Sequence, residues 1–369
     1  MIQTSTIVVG LCTLAGTAMA QTLVDTFDGK ALDQAKWTTQ QIATSQVSFP
    51  EPGRCGPAAI AASVRESDGG TACGDEDCQR AEIRTIKTSW PKFGEEVWYS
   101  FSFKAEGQVS PTGSHRLVIG QWKGPGDDSP MIAQRFDDGV FYITVQDNDI
   151  RRVVASAAEK PGETLVAQEI LGKLDRDDQR TVQGIQSLQS LETMLDRQPD
   201  FARQFLSPAL QKALRSTDSA PERERLAETL GLANSSLLSH FREFAFVAEP
   251  EKYIGPAAID IISEPENRLP NPSGKWVDMV YRIKPGRMDN EKGPRRKGEV
   301  EIWANGKKIV TVRGNMGATL KKGSDLELRG PYFKFGIYRK RVAENLSLHL
   351  DEFSQAPTQS GLVKMCSVR

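Results

Sequence analysis

The segment PYFKFGIYRK (residues 331–340) alternates between apolar and polar side chains along most of its length. Phe333, Phe335 and Ile337 occupy odd positions, whereas tyrosine, lysine and glycine occupy the even ones. Because successive side chains of a β-strand point to opposite faces, the pattern predicts a strand with one face in a core. The other face would carry a row of phenol and ammonium groups, contributed by Tyr332, Lys334, Tyr338 and Lys340.

The same period of two recurs toward both ends of the chain and predicts a mainly β fold. Asn305-Gly306 joins two alternating segments, and this dipeptide is typical of a type I′ hairpin turn. Many strands with short turns and few helices favour a β-sandwich. The alternating segments lie at residues 96–106, 116–123, 139–146, 275–284, 299–314 and 346–353.

The middle of the chain has a different apolar period. In GIQSLQSLETML the isoleucine and the leucines recur at intervals of three and four residues, which places them on one side of an α-helix. The change predicts an all-α insertion, residues 155–246, within a β domain formed by residues 21–154 and 247–369. Two interpretations of the insertion remain open, namely a packed subdomain without chemistry and a lid or wall over a ligand cleft.

The first 20 residues are mostly apolar and end in the small-residue pattern Ala18-Met19-Ala20. This pattern predicts a signal peptide, residues 1–20, that is cleaved before Gln21 and directs a secreted or periplasmic protein. No other stretch is apolar enough to span a bilayer. The formal net charge of −1 argues against a general nucleic-acid binder, which would show a basic excess.

Four cysteines follow the signal segment: Cys55, Cys73, Cys78 and Cys366. In an oxidising compartment they can form two disulfides, for which three connectivities exist. A bond between Cys73 and Cys78 would close a small loop and leave Cys55 to pair with Cys366. The alternative is a metal site, although the spacing matches no zinc motif and no histidine lies nearby in the sequence.

Two further segments alternate polar with apolar residues and add charge to the predicted sheet. RAEIRT places Arg80, Glu82 and Arg84 on one face, and VIGQWK places Gln121 and Lys123 on one face. If these faces join the polar face of residues 331–340 in one concave surface, the groove suits the carboxylates or sulfates of an acidic polymer. The alternative is a solvated face whose charges pair with one another, Glu82 with its two arginines.

These segments resemble the motifs of the jelly-roll polysaccharide lyases. RAEIR is similar to the family's Arg-(Ser/Thr)-Glu-Leu-Arg motif, IGQWK to its Gln-Ile-His segment, and YFKFGIYRK to its Tyr-Phe-Lys-Ala-Gly-x-Tyr strand. GKWVDMVYRIK and VEIWANGKKIV look closest to the heparin-lyase-I-like branch of this superfamily, which also includes glucuronan lyases and alginate lyases. The resemblance covers residues 22–150 and 270–355, and it implies a concanavalin-like β-jelly-roll sandwich.

The resemblance also implies β-elimination on a uronic-acid polysaccharide such as alginate, glucuronan or a glycosaminoglycan-like chain. Removal of the C5 proton places negative charge on the uronate carboxylate, which Arg80, Arg84 and Gln121 would stabilise. Tyr338 would protonate the leaving O4 oxygen, and Gly336, which has no side chain, would let a sugar ring approach the sheet. The residues expected to contact the polymer are Tyr332, Glu82, Arg84, Lys334 and Lys340.

One position departs from the family pattern, because Lys123 stands where the family has histidine. A lysine acts as a base only if its pKa falls, and the histidines of this chain (His115, His240 and His349) offer no obvious substitute. Three accounts follow, in order of preference. Tyr338 is both base and acid in a syn elimination, or Lys123 is the base, or catalysis is lost and the protein only binds glycans.

Two other functions compete with a lyase. One is a carbohydrate-binding protein on the same fold. The other is a glycoside hydrolase, for which the segment EVEIW offers Glu299 and Glu301 at alternate positions but no third acid in the spacing that those hydrolases use. The proposed chemistry requires no cofactor, and a structural calcium ion in a loop at residues 74–77 or 147–150 is compatible with the sequence. We expect a monomer that binds an acidic polysaccharide, with no nucleic acid and no membrane span.

Overall fold

The computed structural model describes residues 22–41, 43–70, 78–91, 95–109, 117–124, 129–137, 139–147, 150–157, 259–264, 268–285, 297–314, 316 and 330–366. The segments in which apolar and polar residues alternate form β-strands throughout this part of the chain. The strands are β1 Leu23–Asp25, β2 Trp37–Gln41, β3 Val47–Ser48, β4 Ile60–Val64, β5 Gly69–Gly70, β6 Cys78–Thr85, β7 Val97–Gly107, β8 Leu117–Lys123, β9 Ile132–Asp137, β10 Val140–Asp147, β11 Ile150–Ser156, β12 Ile259–Ser263, β13 Val277–Lys284, β14 Gly298–Ala304, β15 Lys307–Gly314, β16 Tyr332–Lys340 and β17 Leu346–Ala356.

The strands form two antiparallel sheets. The back sheet runs in the order β12-β15-β14-β13-β7-β17-β4-β3, with β1 also paired to β17. The front sheet runs in the order β11-β10-β9-β8-β16-β6-β2, with β5 also paired to β6. Neighbours far apart in sequence, such as β16 between β6 and β8, show that the chain crosses repeatedly between the sheets. The mainly β sandwich predicted from the sequence is therefore confirmed.

Aromatic rings from both sheets fill the space between them. Phe101 of β7 lies 5.2 Å from Phe333 of β16, and Phe103 lies 6.0 Å from Phe335, measured between ring centroids. All four rings are buried, and burial of each side chain contributes about 1.5–3 kcal/mol to folding. The apolar face of β16 is therefore anchored in the core, as its alternation predicts.

The turn between β14 and β15 has the predicted geometry. Asn305 and Gly306 both have positive φ, 48° and 77°, as the two central residues of a type I′ turn require. Asn305 also accepts a hydrogen bond from the backbone N–H of Asp278 through its side-chain oxygen, at 2.9 Å. The turn is therefore tied to the neighbouring strand β13.

The predicted helical insertion lies outside the described residues, except at its start. There β11 continues through Ser156, so the strand extends two residues past the boundary set from the sequence. The signal segment and His115 and His240 also lie outside the described residues. No helix within the described ranges is long and apolar enough to cross a bilayer.

A disulfide joins Cys55 to Cys366 with a Cα–Cα distance of 5.4 Å, which confirms that predicted pairing. Cys78 is disulfide-bonded as well, whereas Cys73 lies outside the described residues. The first of the two candidate calcium loops also falls outside them. Across the part of the chain that is described, no three carboxylate, imidazole or thiol side chains cluster closely enough to hold a metal ion.

Loss of the Cys55–Cys366 bond is expected to destabilise the sandwich strongly. The bond closes a loop of 311 residues, and removing a native disulfide costs about 2–5 kcal/mol in small secreted domains. We expect the Cys55→Ala/Cys366→Ala double variant to lose about 2–4 kcal/mol of unfolding free energy in urea titrations. Unchanged unfolding midpoint and slope would contradict this prediction. The double variant is preferable to a reducing agent, which would also attack the disulfide of Cys78.

Candidate active site

The pairing register of the front sheet collects the polar residues of three strands. Lys334 of β16 lies opposite Arg84 of β6 on one side and opposite Gln121 of β8 on the other. Tyr338 lies opposite Arg80, four residues further along both strands. Paired residues of neighbouring strands project from the same face of a sheet. These side chains therefore share the face of the front sheet that points away from the core.

Gly336 has a structural role that differs from the one expected. Its φ is +139°, and a Cβ there would meet the backbone of β6, lying 2.6 Å from Glu82 Cα and in closer contact with Ala81 O. The absent side chain therefore allows β6 and β16 to approach each other, and it does not open a gap for a sugar ring. The pairing of β16 with β8 is also irregular at this point, between Phe335 and Tyr338.

The Gly336→Ala substitution is therefore expected to destabilise the sheet. Both the positive φ and the contact with β6 act against a methyl group, so we expect a loss of about 2–4 kcal/mol of unfolding free energy. Gly124→Ala is a matched control, because no atom lies within 4 Å of a Cβ there and its φ is ordinary. Equal unfolding free energies for the two variants would show that the close approach is not needed.

Glu82 is the centre of the polar face. Its carboxylate is 1 % exposed and accepts Arg80 Nε at 2.7 Å and Gln121 Nε2 at 2.6 Å. Lys334 Nζ lies 2.8 Å from the same carboxylate and is itself buried. One buried anion thus orders two cations and an amide from all three strands. This arrangement gives Glu82 a positioning role beneath the surface, because its oxygens face the protein's own donors.

Burial lowers the pKa of Lys334 to about 8, and the nearby charges of Arg80 and Lys123 act in the same direction. The attraction of Glu82 opposes this shift without cancelling it. Lys334 therefore remains cationic at neutral pH but loses its charge on mild alkalinisation. Its titration would change the net charge of the polar face within an accessible pH range.

Arg80 connects this buried centre to Tyr338. The guanidinium carbon lies 5.1 Å from the centroid of the Tyr338 ring, within the range of a cation–π contact. Arg80 also donates from Nη2 to Gln40 Oε1 at 3.0 Å, so Glu82 and Gln40 hold it from two sides. Tyr338 is half-buried. A fixed cation therefore lies against a partly accessible phenol.

The opposite end of the same face carries a residue that the sequence analysis missed. The Trp90 ring stacks on Tyr332 at 4.4 Å, and the Arg84 guanidinium lies 5.5 Å from Tyr332 and 5.9 Å from Trp90. Burial raises the pKa of Tyr332, although the charge of Arg84 opposes the shift. Trp90 follows β6 on a turn, where period-two alternation gives no signal.

The remaining candidate site residues lie in different parts of the structure. Lys123 lies opposite Tyr332, six residues along β16 from Tyr338, and Lys340 is exposed at the end of that strand. His349 is on β17 of the back sheet, where Nε2 lies 3.4 Å from Glu106 Oε2. The front sheet thus brings Lys123 and Tyr338 to one face but places them at opposite ends of it.

The two carboxylates that a glycoside hydrolase would need are bound by basic side chains. Arg282 binds both Glu299 and Glu301 in the back sheet, and Arg313 and Lys308 each bind one of them. Hydrogen bonds from Arg313 and Arg282 lower the pKa of Glu299. Burial would raise the pKa of Glu301, but hydrogen bonds from Lys308 and Arg282 outweigh it and lower the pKa. A glycosidase acid needs a raised pKa, so this pair is unsuited to that role.

Comparisons with known proteins give one family match and several weak structural likenesses. A family model described as polysaccharide lyase matches residues 30–187 and 259–354. Curated protein sequences give no match. Among solved structures, family 7 alginate lyase A1-II′ in complex with substrate is 12 % identical, with a TM-score of 0.41 over 89 % of this chain and 95 % of that one.

Two other structures are similar at the same level. Cellulose induced protein Cip1 is 12 % identical, with a TM-score of 0.40 over 91 % of this chain and 97 % of that one. Family 7 alginate lyase AlgAT5 is 11 % identical, with a TM-score of 0.37 over 88 % and 96 %. Likenesses this weak assign no substrate, whereas the family model covers more than half of the sequence. The chain therefore belongs to the polysaccharide lyase family.

Proposed function

We propose that the protein cleaves a uronic-acid-containing polysaccharide by β-elimination and that Tyr338 transfers the proton. The observation that carries the proposal is the contact between Arg80 and Tyr338, 5.1 Å from guanidinium carbon to ring centroid. It places a fixed cation next to a partly accessible acid–base group. Elimination from a uronate needs both, because charge develops on the sugar carboxylate while a proton moves.

The chemistry assigns a task to each part of the face. A base removes the C5 proton, the electrons form the C4–C5 double bond, and the bond from C4 to the leaving O4 breaks as O4 takes up a proton. Arg80 supplies positive charge for the carboxylate during this step, and Gln121 supplies an amide. Glu82 does not contact the sugar in this account. It holds Arg80, Gln121 and Lys334 in position.

The register favours Tyr338 as both base and acid. Lys123 pairs with Tyr332, and six residues of strand correspond to about 20 Å between it and Tyr338. Two groups so far apart cannot act on adjacent atoms of one sugar. A single tyrosine next to Arg80 can accept the C5 proton as phenolate and return it to O4 on the same side of the ring.

The rest of the polar face would bind the polymer. Arg84, Tyr332 and Lys340 extend along the strands on either side of Lys334, and Lys123 adds a further cation. We propose that this face takes an acidic polysaccharide and that the protein works as an exported monomer without a cofactor. The leader-like residues 1–20 and the Cys55–Cys366 bond support export, because disulfides persist in oxidising compartments.

The proposal is tested by incubating the purified protein with alginate, glucuronan, heparin and hyaluronan. Elimination leaves a conjugated C4–C5 double bond, so ultraviolet absorbance should rise with at least one polyuronate. Reducing ends released without that absorbance would indicate hydrolysis and contradict the proposal.

A carbohydrate-binding protein without catalysis is the second candidate, and the lysine at the family's histidine position favours it. Such a protein would bind one of the same polymers but would produce neither the ultraviolet absorbance nor new reducing ends. Affinity measurements on the full panel therefore separate the two functions.

The lowered pKa of Lys334 predicts how substrate affinity depends on pH. Because burial lowers its pKa to about 8, the side chain is cationic below that pH and neutral above it. The polar face loses one positive charge as the pH rises through about 8, so KM for the polyanion should increase several-fold between about pH 7 and 9.

Replacing Lys334 by an uncharged residue tests whether its titration causes this pH dependence. Lys334→Met should show a raised KM already at about pH 7 and little further change up to about pH 9. The measurement is KM against pH for both proteins. An increase of the same size in the variant would assign the pH dependence to another group.

A further inference from the structure

Arg84, Trp90 and Tyr332 form a compact group at one end of the polar face, called here the anchor end. Trp90 and Tyr332 stack with an interplanar angle of 23°, and Arg84 lies within 6 Å of both ring centroids. Trp90 and Arg84 are half-buried, so part of each remains accessible. The group thus combines apolar ring surface with a cation, the two features that an anionic sugar ring can use.

The turn that carries Trp90 is held firmly. Trp90 Nε1 donates to the backbone oxygen of Thr85 at 2.9 Å, which fixes the indole against the end of β6. Gln355, buried in the back sheet, donates to the backbone oxygen of Ser89 at 2.7 Å. Ser89 Oγ also donates to Ile86 O at 2.8 Å. A ring fixed in this way loses little conformational entropy on binding a ligand.

Arg84 has donor capacity that the fold does not use. Its Nε is buried, and no acceptor in the described part of the chain receives a hydrogen bond from it. Because Nε itself is closed to solvent, the terminal N–H groups of this half-buried guanidinium are the donors that would bind a carboxylate or sulfate oxygen. Lys123 lies opposite Tyr332 in the neighbouring strand and adds positive charge to the same end.

The anchor end is distant from Tyr338. Six residues of β16 separate Tyr332 from Tyr338, or about 20 Å along the strand. Several sugar rings of an extended polymer are needed to cover that length. One short oligosaccharide therefore cannot contact Tyr338 and Trp90 together, whereas a longer chain can.

We propose that Trp90, with Arg84 and Tyr332, forms a separate subsite that binds an anionic sugar several rings from the reacting bond. Trp90 supplies the apolar platform and Arg84 binds the carboxylate, so affinity increases once a chain is long enough to reach them. This inference rests on the proposed function for the position of the reacting bond. The subsite itself is a binding property, and it can be measured whether or not the chain is cleaved.

The test measures affinity against chain length. Calorimetry with alginate and glucuronan oligosaccharides, from disaccharide to octasaccharide, is run on the Tyr338→Phe protein with and without Trp90→Ala. With Trp90 present, we expect affinity to increase sharply at the length that reaches the anchor end. Trp90→Ala should remove that increase, lowering affinity for the longest oligosaccharides by about tenfold, while disaccharide affinity stays the same.

Two controls separate binding from folding. Trp303→Ala removes an indole that is also half-buried and that stacks on Trp98 in the back sheet, so it should leave every affinity unchanged. Trp90→Phe keeps a ring on Tyr332 and should retain most of the gain with length. A uniform loss at all lengths, or no loss with Trp90→Ala, would overturn the subsite. A length-dependent loss in a protein that cleaves no polymer would uphold the subsite and reject the lyase.

Discussion

Tyr338→Phe is expected to lower the rate of polymer cleavage by about 10²-fold or more, the scale of lost acid–base catalysis. The substitution removes one hydroxyl and leaves the ring that Arg80 contacts. Phe333 and Phe335 hold the strand from the core side, so melting temperature and polymer affinity should change little. The effect should therefore fall on kcat rather than on KM.

Tyr99→Phe is a matched control for this experiment. Tyr99 lies on β7 of the back sheet and is buried in the core, and its substitution also removes a single hydroxyl. We expect kcat to stay within about twofold of the wild-type value. If Tyr338→Phe retains full activity, or if both variants lose activity equally, Tyr338 is not the proton carrier.

Glu82→Gln is expected to damage stability and activity together. The change preserves shape but removes the only negative charge that Arg80 and Lys334 contact in the described structure. Breaking a buried ion pair by removing one partner costs about 3–5 kcal/mol. Chemical unfolding should show a loss of this size, and cleavage should fall by at least about 10²-fold because Arg80 loses its orientation.

A second substitution tests whether charge is the cause. Adding Lys334→Met to Glu82→Gln removes the cation left without its partner, so the double variant should recover part of the lost unfolding free energy. Activity should not recover, because Arg80 remains without its anchor. A double variant less stable than Glu82→Gln alone would show that Lys334 stabilises the fold by packing instead.

Much of the fold can be predicted from sequence because most core residues lie on segments in which apolar and polar side chains alternate. The odd positions of β16 and the turn at Asn305-Gly306 behave as their sequence predicts. Strand β9 was missed because Gln134 occupies a core position, where it donates to Tyr281 OH at 2.8 Å. A buried polar residue whose partner comes from the other sheet interrupts the period of two. Sequence alone shows no such partner.

The sequence predicted which side chains share one face of the front sheet, but not which of them contact one another. Shared parity correctly brought Arg80, Glu82 and Lys334 to one face, yet it gave no sign that Glu82 lies beneath the two cations. The register between strands distant in sequence decides which groups meet, and no local pattern encodes it. For the same reason, the sequence did not show that Gly336 faces the β6 backbone or that Trp90 stacks on Tyr332.

The most direct test of the account is the mass of the products from a defined uronate oligosaccharide. Elimination splits the chain without adding water, so the product masses must sum to that of the substrate, with an unsaturated ring at one new end. We predict this result for the wild-type protein and, for Tyr338→Phe, about a hundredth or less of the product within the same time. Product masses that sum to the substrate plus one water molecule would show hydrolysis and contradict the account.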